Sequence, residues 1–97
     1  MRYTWGTNYL VNNRRSEIEI ISQILSLSRD GARKTEILYQ GNLSYTQLQS
    51  YLPFLINRNI LEEQEVYNNG FPCKLYKTTD KGLSLLASIR RVLVQLD

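Results

Sequence analysis

Lys34-Thr35-Glu36-Ile37-Leu38-Tyr39-Gln40, then Gly41-Asn42-Leu43, then Ser44-Tyr45-Thr46-Gln47-Leu48-Gln49-Ser50-Tyr51-Leu52-Pro53-Phe54-Leu55-Ile56-Asn57 is the stretch on which the fold turns. Its first segment predicts a short helix around the apolar cluster Ile37-Leu38-Tyr39, and Gly41-Asn42-Leu43 predicts a tight turn. Ser44, with Gln47 three residues on, has the spacing of a capping box, in which hydroxyl and amide side chains satisfy each other's backbone N–H groups. Beyond it Leu48, Tyr51, Leu52, Leu55 and Ile56 recur at i, i+3, i+4, i+7 and i+8, the inner face of an amphipathic helix. Thr46, Gln49, Ser50, Pro53 and Asn57 make the outer face, polar but uncharged. Two helices joined through a glycine turn, the second with such an outer stripe, form the helix-turn-helix pattern. Pro53 removes one backbone hydrogen bond, to the carbonyl of Gln49, on the side where water can replace it, so it predicts a bend and not an end.

Upstream, Ser16-Glu17-Ile18-Glu19 is a second capping box. The helix it opens places Ile18, Ile21, Ile24, Leu25 and Ser28 inward, with Ile20 and Leu27 at the edge of that face, and stops at Arg29-Asp30-Gly31. Downstream the period changes. Ile60-Leu61-Glu62 and Glu65-Val66-Tyr67 are short β-like runs, Asn69-Gly70 favours a type I′ hairpin turn, and Phe71 to Lys77 returns as the partner strand. Pro72 confines that strand to an edge. A last helix starts at Thr79, with Asp80 in its first turn. It carries one wide apolar stripe (Leu85, Leu86, Ile89, Val92, Leu93, Leu96) and a narrower one (Leu83, Ala87, Val94). The expected class is α+β, mostly α: a winged helix-turn-helix with a long C-terminal dimerisation helix. The expected organisation is an N-terminal arm over residues 1–15, the winged domain over 16–79 and the C-terminal helix over 80–97.

Composition narrows the chemistry. The 97 residues leave room for one domain. The single cysteine, Cys73, excludes an internal disulfide and a cysteine-built zinc site, and fits a reducing cytoplasmic interior. With no histidine, Ser-His and Cys-His nucleophiles and histidine-ligated metals are excluded together. No apolar run approaches a membrane span, and Met1 to Gly6 shows no secretory h-region. The expectation is therefore a protein that is not an enzyme, with no cofactor, no metal, no membrane partner and no small-molecule ligand in evidence. A net charge of +3 and a pI near 9.2 favour a polyanionic partner. The acidic run Glu62, Glu63 and Glu65 should stay off any face that meets phosphate.

Lys34 to Tyr39, Asn42-Leu43-Ser44-Tyr45, Tyr51-Leu52 with Leu55, and Asn59-Ile60-Leu61 together resemble the archaeal small winged-helix DNA-binding family. Tyr76-Lys77-Thr78-Thr79-Asp80-Lys81-Gly82 is similar to that family's Tyr-x-Leu-Thr-x-x-Gly segment. The resemblance covers residues 16 to 90. It implies a homodimer joined through an antiparallel coiled coil of the last helix and a role in transcription regulation or chromatin organisation on double-stranded DNA. Three features depart from the pattern: Thr78 replaces an apolar residue, the last helix is short beyond the domain, and residues 1–15 are additional.

On this reading Arg33, Lys34 and Thr35 approach phosphate at the start of the second helix. Ser44, Tyr45, Thr46, Gln47, Gln49 and Ser50 form the base-facing surface, glutamine being a bidentate reader of adenine. By helical angle Tyr45 and Tyr51 read as core tyrosines with surface hydroxyls, the alternative being platforms on which bases stack. Lys74 and Lys77 either brush the backbone from the wing or discourage edge-strand aggregation. Arg14-Arg15 read as a solvated pair or as an arm in the minor groove. Leu86, Ile89, Leu93 and Leu96, spaced 3, 4 and 3, read as a dimer seam, with Trp5 and Tyr9 as further contacts. Cys73 reads as a small filler. The alternative is a winged-helix protein-interaction module that docks a partner through Tyr3, Trp5 and Tyr9 or through the C-terminal helix.

Overall fold

The computed structural model describes residues 16–96. The arm expected over residues 1–15, with Trp5, Tyr9, Arg14 and Arg15, lies outside the described residues. Four helices and one antiparallel pair follow in the order α1 (Glu17–Leu27), α2 (Lys34–Gln40), α3 (Tyr45–Asn57), β1 (Leu61–Asn68), β2 (Phe71–Thr78) and α4 (Asp80–Leu96). The expected class is thus the observed one, mostly helical with a two-stranded wing.

Local chemistry explains the boundaries. The Ser16 hydroxyl accepts from the Glu19 amide at 3.2 Å, and the Glu19 carboxylate accepts from the Ser16 amide at 3.1 Å. The same reciprocal pair opens α3, where Ser44 Oγ accepts from the Gln47 amide and Gln47 Oε1 from the Ser44 amide, at 3.1 and 3.0 Å. α3 continues through Pro53, which lies exposed inside it. The two β-like runs merge into one eight-residue strand, paired from Leu61↔Thr78 to Asn68↔Phe71. That register leaves Asn69 and Gly70 as the loop, both with positive φ (54° and 84°), the geometry a type I′ turn requires.

Helices and wing meet in one core, built on Ile20, Ile24 and Leu25 of α1, Ile37 of α2, Leu48, Leu52 and Leu55 of α3, Leu61 and Tyr76 of the wing, and Leu86 of α4. Two assignments in α1 change places: Ile20, read at the edge of the inner face, is 4% exposed, and Ile18, read as inward, is 47% exposed. Ile18 sits in the first turn, whereas the packed arc runs from Ile20 through Ile24 and Leu25 to Ser28, where α1 meets α4, α2 and β2. Helical angle gives the arc's width but not which of its edges a neighbouring element covers.

The base of the wing is tied to this core. Ala32 and Tyr76 exchange backbone hydrogen bonds at 2.9 and 2.8 Å, so a short bridge flanks β2 on the side away from β1. Thr78 is buried; its hydroxyl donates to the Leu25 carbonyl at 2.8 Å and its amide to the Ser28 carbonyl at 2.9 Å. The polar residue at this position therefore caps the last turn of α1, a role an apolar side chain lacks. Thr79 Oγ1 accepts from the Gly82 amide at 3.0 Å and starts α4. A Cβ at Gly82 would collide with the Ile60 carbonyl oxygen, so this position takes only glycine while α4 lies so close to the start of β1.

Candidate functional site

The outward surface of α3 presents Tyr45, Thr46, Gln47, Gln49, Ser50 and Pro53, all exposed, over the buried row Leu48, Leu52 and Leu55. Ser44 is exposed at its start. This is the surface that the sequence assigned to base contact, with one correction. Tyr45 is 59% exposed and is not a core tyrosine: at the start of α3 it is Leu43 and Leu48, on either side of it, that enter the core. Tyr51 is half-buried; burial, and then the Glu17 carboxylate, push its phenol above the ordinary value of 10.0.

α2 delivers the basic edge. Arg33 and Thr35 are exposed and Lys34 half-buried, and the Arg33 amide donates to Glu36 at 2.8 Å. Lys34 crosses to α3, where its ammonium donates to Gln49 Oε1 at 3.2 Å and lies 5.7 Å from the centroid of the Tyr45 ring. Lys34, Tyr45 and Gln49 thus form one cluster, a grouping that cannot be read from a separation of fifteen residues. At the other end of α3, Arg58 stacks on Phe54 at 3.8 Å and donates to its carbonyl at 3.2 Å. Sequence reading missed this cation; its signal was the i, i+4 spacing of an aromatic and an arginine. Between α3 and the start of α1 runs a groove of about 430 Å³ whose lining includes Glu17, Ile21, Thr46, Gln47, Ser50 and Phe54.

The wing differs from expectation. Glu62 stands opposite Lys77 and Glu65 opposite Lys74 in the strand register, while Glu63 pairs with the Lys74 ammonium at 3.4 Å. Glu62 also accepts from Gln64 at 2.9 Å, and Glu63 from the Tyr76 hydroxyl at 3.0 Å. Burial first, and then the Glu63 hydrogen bond, raise the Tyr76 phenol to about 12. The acidic run expected to stay away from a phosphate-facing surface is therefore interleaved with the wing lysines. Tyr67 and Phe71 lie exposed near the wing tip, and Tyr39 at the end of α2; sequence reading gave none of them a role.

On α4 the proposed seam divides. Leu86 is 1% and Ile89 9% exposed, both buried within the chain's own fold, because α4 packs on α1. They cannot form the surface of a seam. Leu93 is half-buried, and Val92, Val94 and Leu96 are exposed. Cys73 is half-buried on β2 opposite Val66. Among the described residues no group of His, Cys, Asp or Glu has the placement to hold a metal ion, and no helix is long and apolar enough to cross a membrane.

Charge sharpens the contrast between surfaces. Arg2, Arg14 and Arg15 equal the chain's whole net charge of +3, so residues 16–97 hold as many acidic as basic side chains. What distinguishes the α2–α3 edge is where its cations lie, not a general excess.

Comparison with known proteins agrees with this architecture. The sequence pattern of the winged helix-turn-helix family matches residues 14–95. The structure is similar to the DNA-binding protein Sso10a-2 of Sulfolobus solfataricus, with a TM-score of 0.71 and 26% identity, covering 81% of this chain and 79% of that one. It is also similar to a PadR-like transcription factor of Bacteroides fragilis, with a TM-score of 0.65 and 27% identity, covering 81% and 82%. An uncharacterized protein of Methanocaldococcus jannaschii is 27% identical over 77 residues, which are 78% of this chain and 71% of that protein.

Proposed function

The chain belongs to the winged helix-turn-helix family, and from that premise we propose that it binds double-stranded DNA as a homodimer, acting in the cytoplasm in transcription regulation or chromatin organisation. The observation that carries this reading is the uncharged, hydrogen-bonding surface of α3 (Thr46, Gln47, Gln49 and Ser50) with Arg33 and Lys34 along its edge. Such a surface matches a major groove, where base edges offer donors and acceptors and flanking cations take the phosphates. Thr35, Ser44 and Tyr45 line the same approach. Lys74 and Lys77 reach the backbone from the wing, and residues 16–79 are the unit that does so. Residues 80–97 join two copies through Leu93 and Leu96, with Val92 and Val94 beside them and Leu86 and Ile89 holding the helix from beneath. The likeness to a protein described as DNA-binding and to one described as a transcription factor supports this reading.

A second reading has its own observation. The wing lysines face glutamates, and Tyr39, Tyr67 and Phe71 are exposed, which suits a surface that docks protein. Anisotropy of labelled random-sequence duplex, titrated with the full-length protein at about 50, 100 and 200 mM salt, separates the two. DNA binding gives a linear log–log dependence with a slope of about −0.9 per phosphate neutralised. No binding at the lowest salt overturns the proposal in favour of protein docking.

A further inference from the structure

The two glutamines on the α3 surface do not present a whole amide. Gln47 Oε1 accepts from the Ser44 amide at 3.0 Å, and Gln49 Oε1 accepts from the Lys34 ammonium at 3.2 Å. In each case the carbonyl oxygen is held by the protein. Among the described residues no acceptor engages either Nε2. The causes are independent. Gln47 is held by its capping box, since the Ser44 amide lies ahead of the first turn of α3 and has no helical acceptor. Gln49 is held because Lys34 occupies the first position of α2, where the helix's own amides repel a cation, and its ammonium extends toward α3 over the Tyr45 ring.

Base edges sort against such a surface. Adenine presents an acceptor at N7 and a donor at N6, and an amide reads both only with its oxygen and its nitrogen together. Guanine presents two acceptors, N7 and O6; cytosine presents a donor. Two neighbouring donors, such as the Gln49 amide nitrogen and the Lys34 ammonium, match guanine. We propose that α3 reads guanine in the major groove, with Gln49 Nε2 and Lys34 Nζ as neighbouring donors to O6 and N7. On this proposal Lys34 is the specificity-determining residue, because its ammonium competes for the one acceptor atom through which Gln49 would read adenine and adds a donor beside it. The inference rests on the DNA-binding reading above and reverses the adenine preference that a free glutamine would imply.

The test is enrichment of duplexes from a randomised pool by the full-length protein, followed by anisotropy on an enriched duplex. Guanine is expected at the contacted position, with about tenfold weaker binding when adenine or 7-deazaguanine replaces it. Lys34→Met frees Gln49 Oε1 and shifts the preference at that position toward adenine, while weakening all sequences together. Gln49→Ala, an exposed position whose loss leaves the α3 core row intact, removes the preference and keeps residual binding. Adenine enriched by the wild-type protein, or guanine still preferred by Lys34→Met, overturns the inference. A pool bound without base preference also overturns it and leaves the proposed function standing. A pool from which nothing is retained overturns the proposed function, and the inference with it.

Discussion

The α2–α3 edge and the wing each carry two basic residues, yet their charges are not equivalent. Lys34 has neutral partners, an amide oxygen and a phenol ring, and its positive charge stays uncompensated. Lys74 and Lys77 are set against Glu63, Glu65 and Glu62 by the strand register. Coulomb attraction of the wing lysines to a phosphate therefore competes with carboxylates directly across the strands, whereas at the α2–α3 edge the nearby carboxylate, Glu36, is engaged by the Arg33 amide and not by the Lys34 ammonium. Clusters of cations along a sequence do not reveal a phosphate-binding surface until the pairing across strands is known.

The most disruptive change would break this comparison by removing the floor of one region. Leu48→Ala empties a fully buried position beneath the α3 surface and should cost about 3 kcal/mol, read as a lowered urea midpoint at unchanged slope. The wing has a counterpart. Thr78→Val keeps the shape but leaves the Leu25 carbonyl without its donor, for a loss of about 2 kcal/mol. A midpoint equal to wild type would show that water satisfies that carbonyl and that the wing base does not need the contact.

Paired substitutions sharpen the comparison directly. Arg33→Ala should weaken binding to every duplex about tenfold and reduce the salt slope by about 1. Lys74→Ala should change affinity by less than about twofold, since its charge is already opposed. Glu63→Gln should strengthen binding instead, by releasing Lys74. Equal losses for Arg33→Ala and Lys74→Ala would erase the distinction drawn between the two regions.

The smallest effect at neutral pH belongs to Tyr76. Its phenol titrates near 12 in the folded chain against 10.0 in an exposed tyrosine, so the neutral form is the one that folding favours. The resulting stability is complete below pH 10 and is lost as pH rises from 10 through 12. Denaturation midpoints across that window should fall in the wild-type protein and fall less in Tyr76→Phe.

Features closed within four residues were legible in the sequence. The Ser16/Glu19 and Ser44/Gln47 boxes and the Asn69-Gly70 turn stand where their spacing put them, because each is satisfied by its own segment. Features that depend on a second element were not. The inward place of Ile20 follows from the packing of α1 against its neighbours, and that of Leu86 and Ile89 from the way α4 lies on α1. The exposure of Tyr45 depends on Leu43 and Leu48 taking the inward places beside it. The placing of Lys74 and Lys77 opposite glutamates depends on register, which joins residues nine to fifteen positions apart. The residue types of the α3 surface were legible too, but the occupation of both glutamine oxygens required the position of Lys34 beside Gln49 and the closing of the cap.

The bridge between Ala32 and Tyr76 makes the wing three strands wide at its root and two at its tip. Backbone amides near the root, such as those of Tyr76 and Thr78, are bonded to partners outside the hairpin and should exchange their hydrogens more slowly than those of the tip. Those near Asn68 and Phe71 are held by the hairpin alone and exchange through local fraying. The wing is thus a cantilever clamped at residues 76 to 78. Its tip can follow the contour of whatever it touches without any expense to the core.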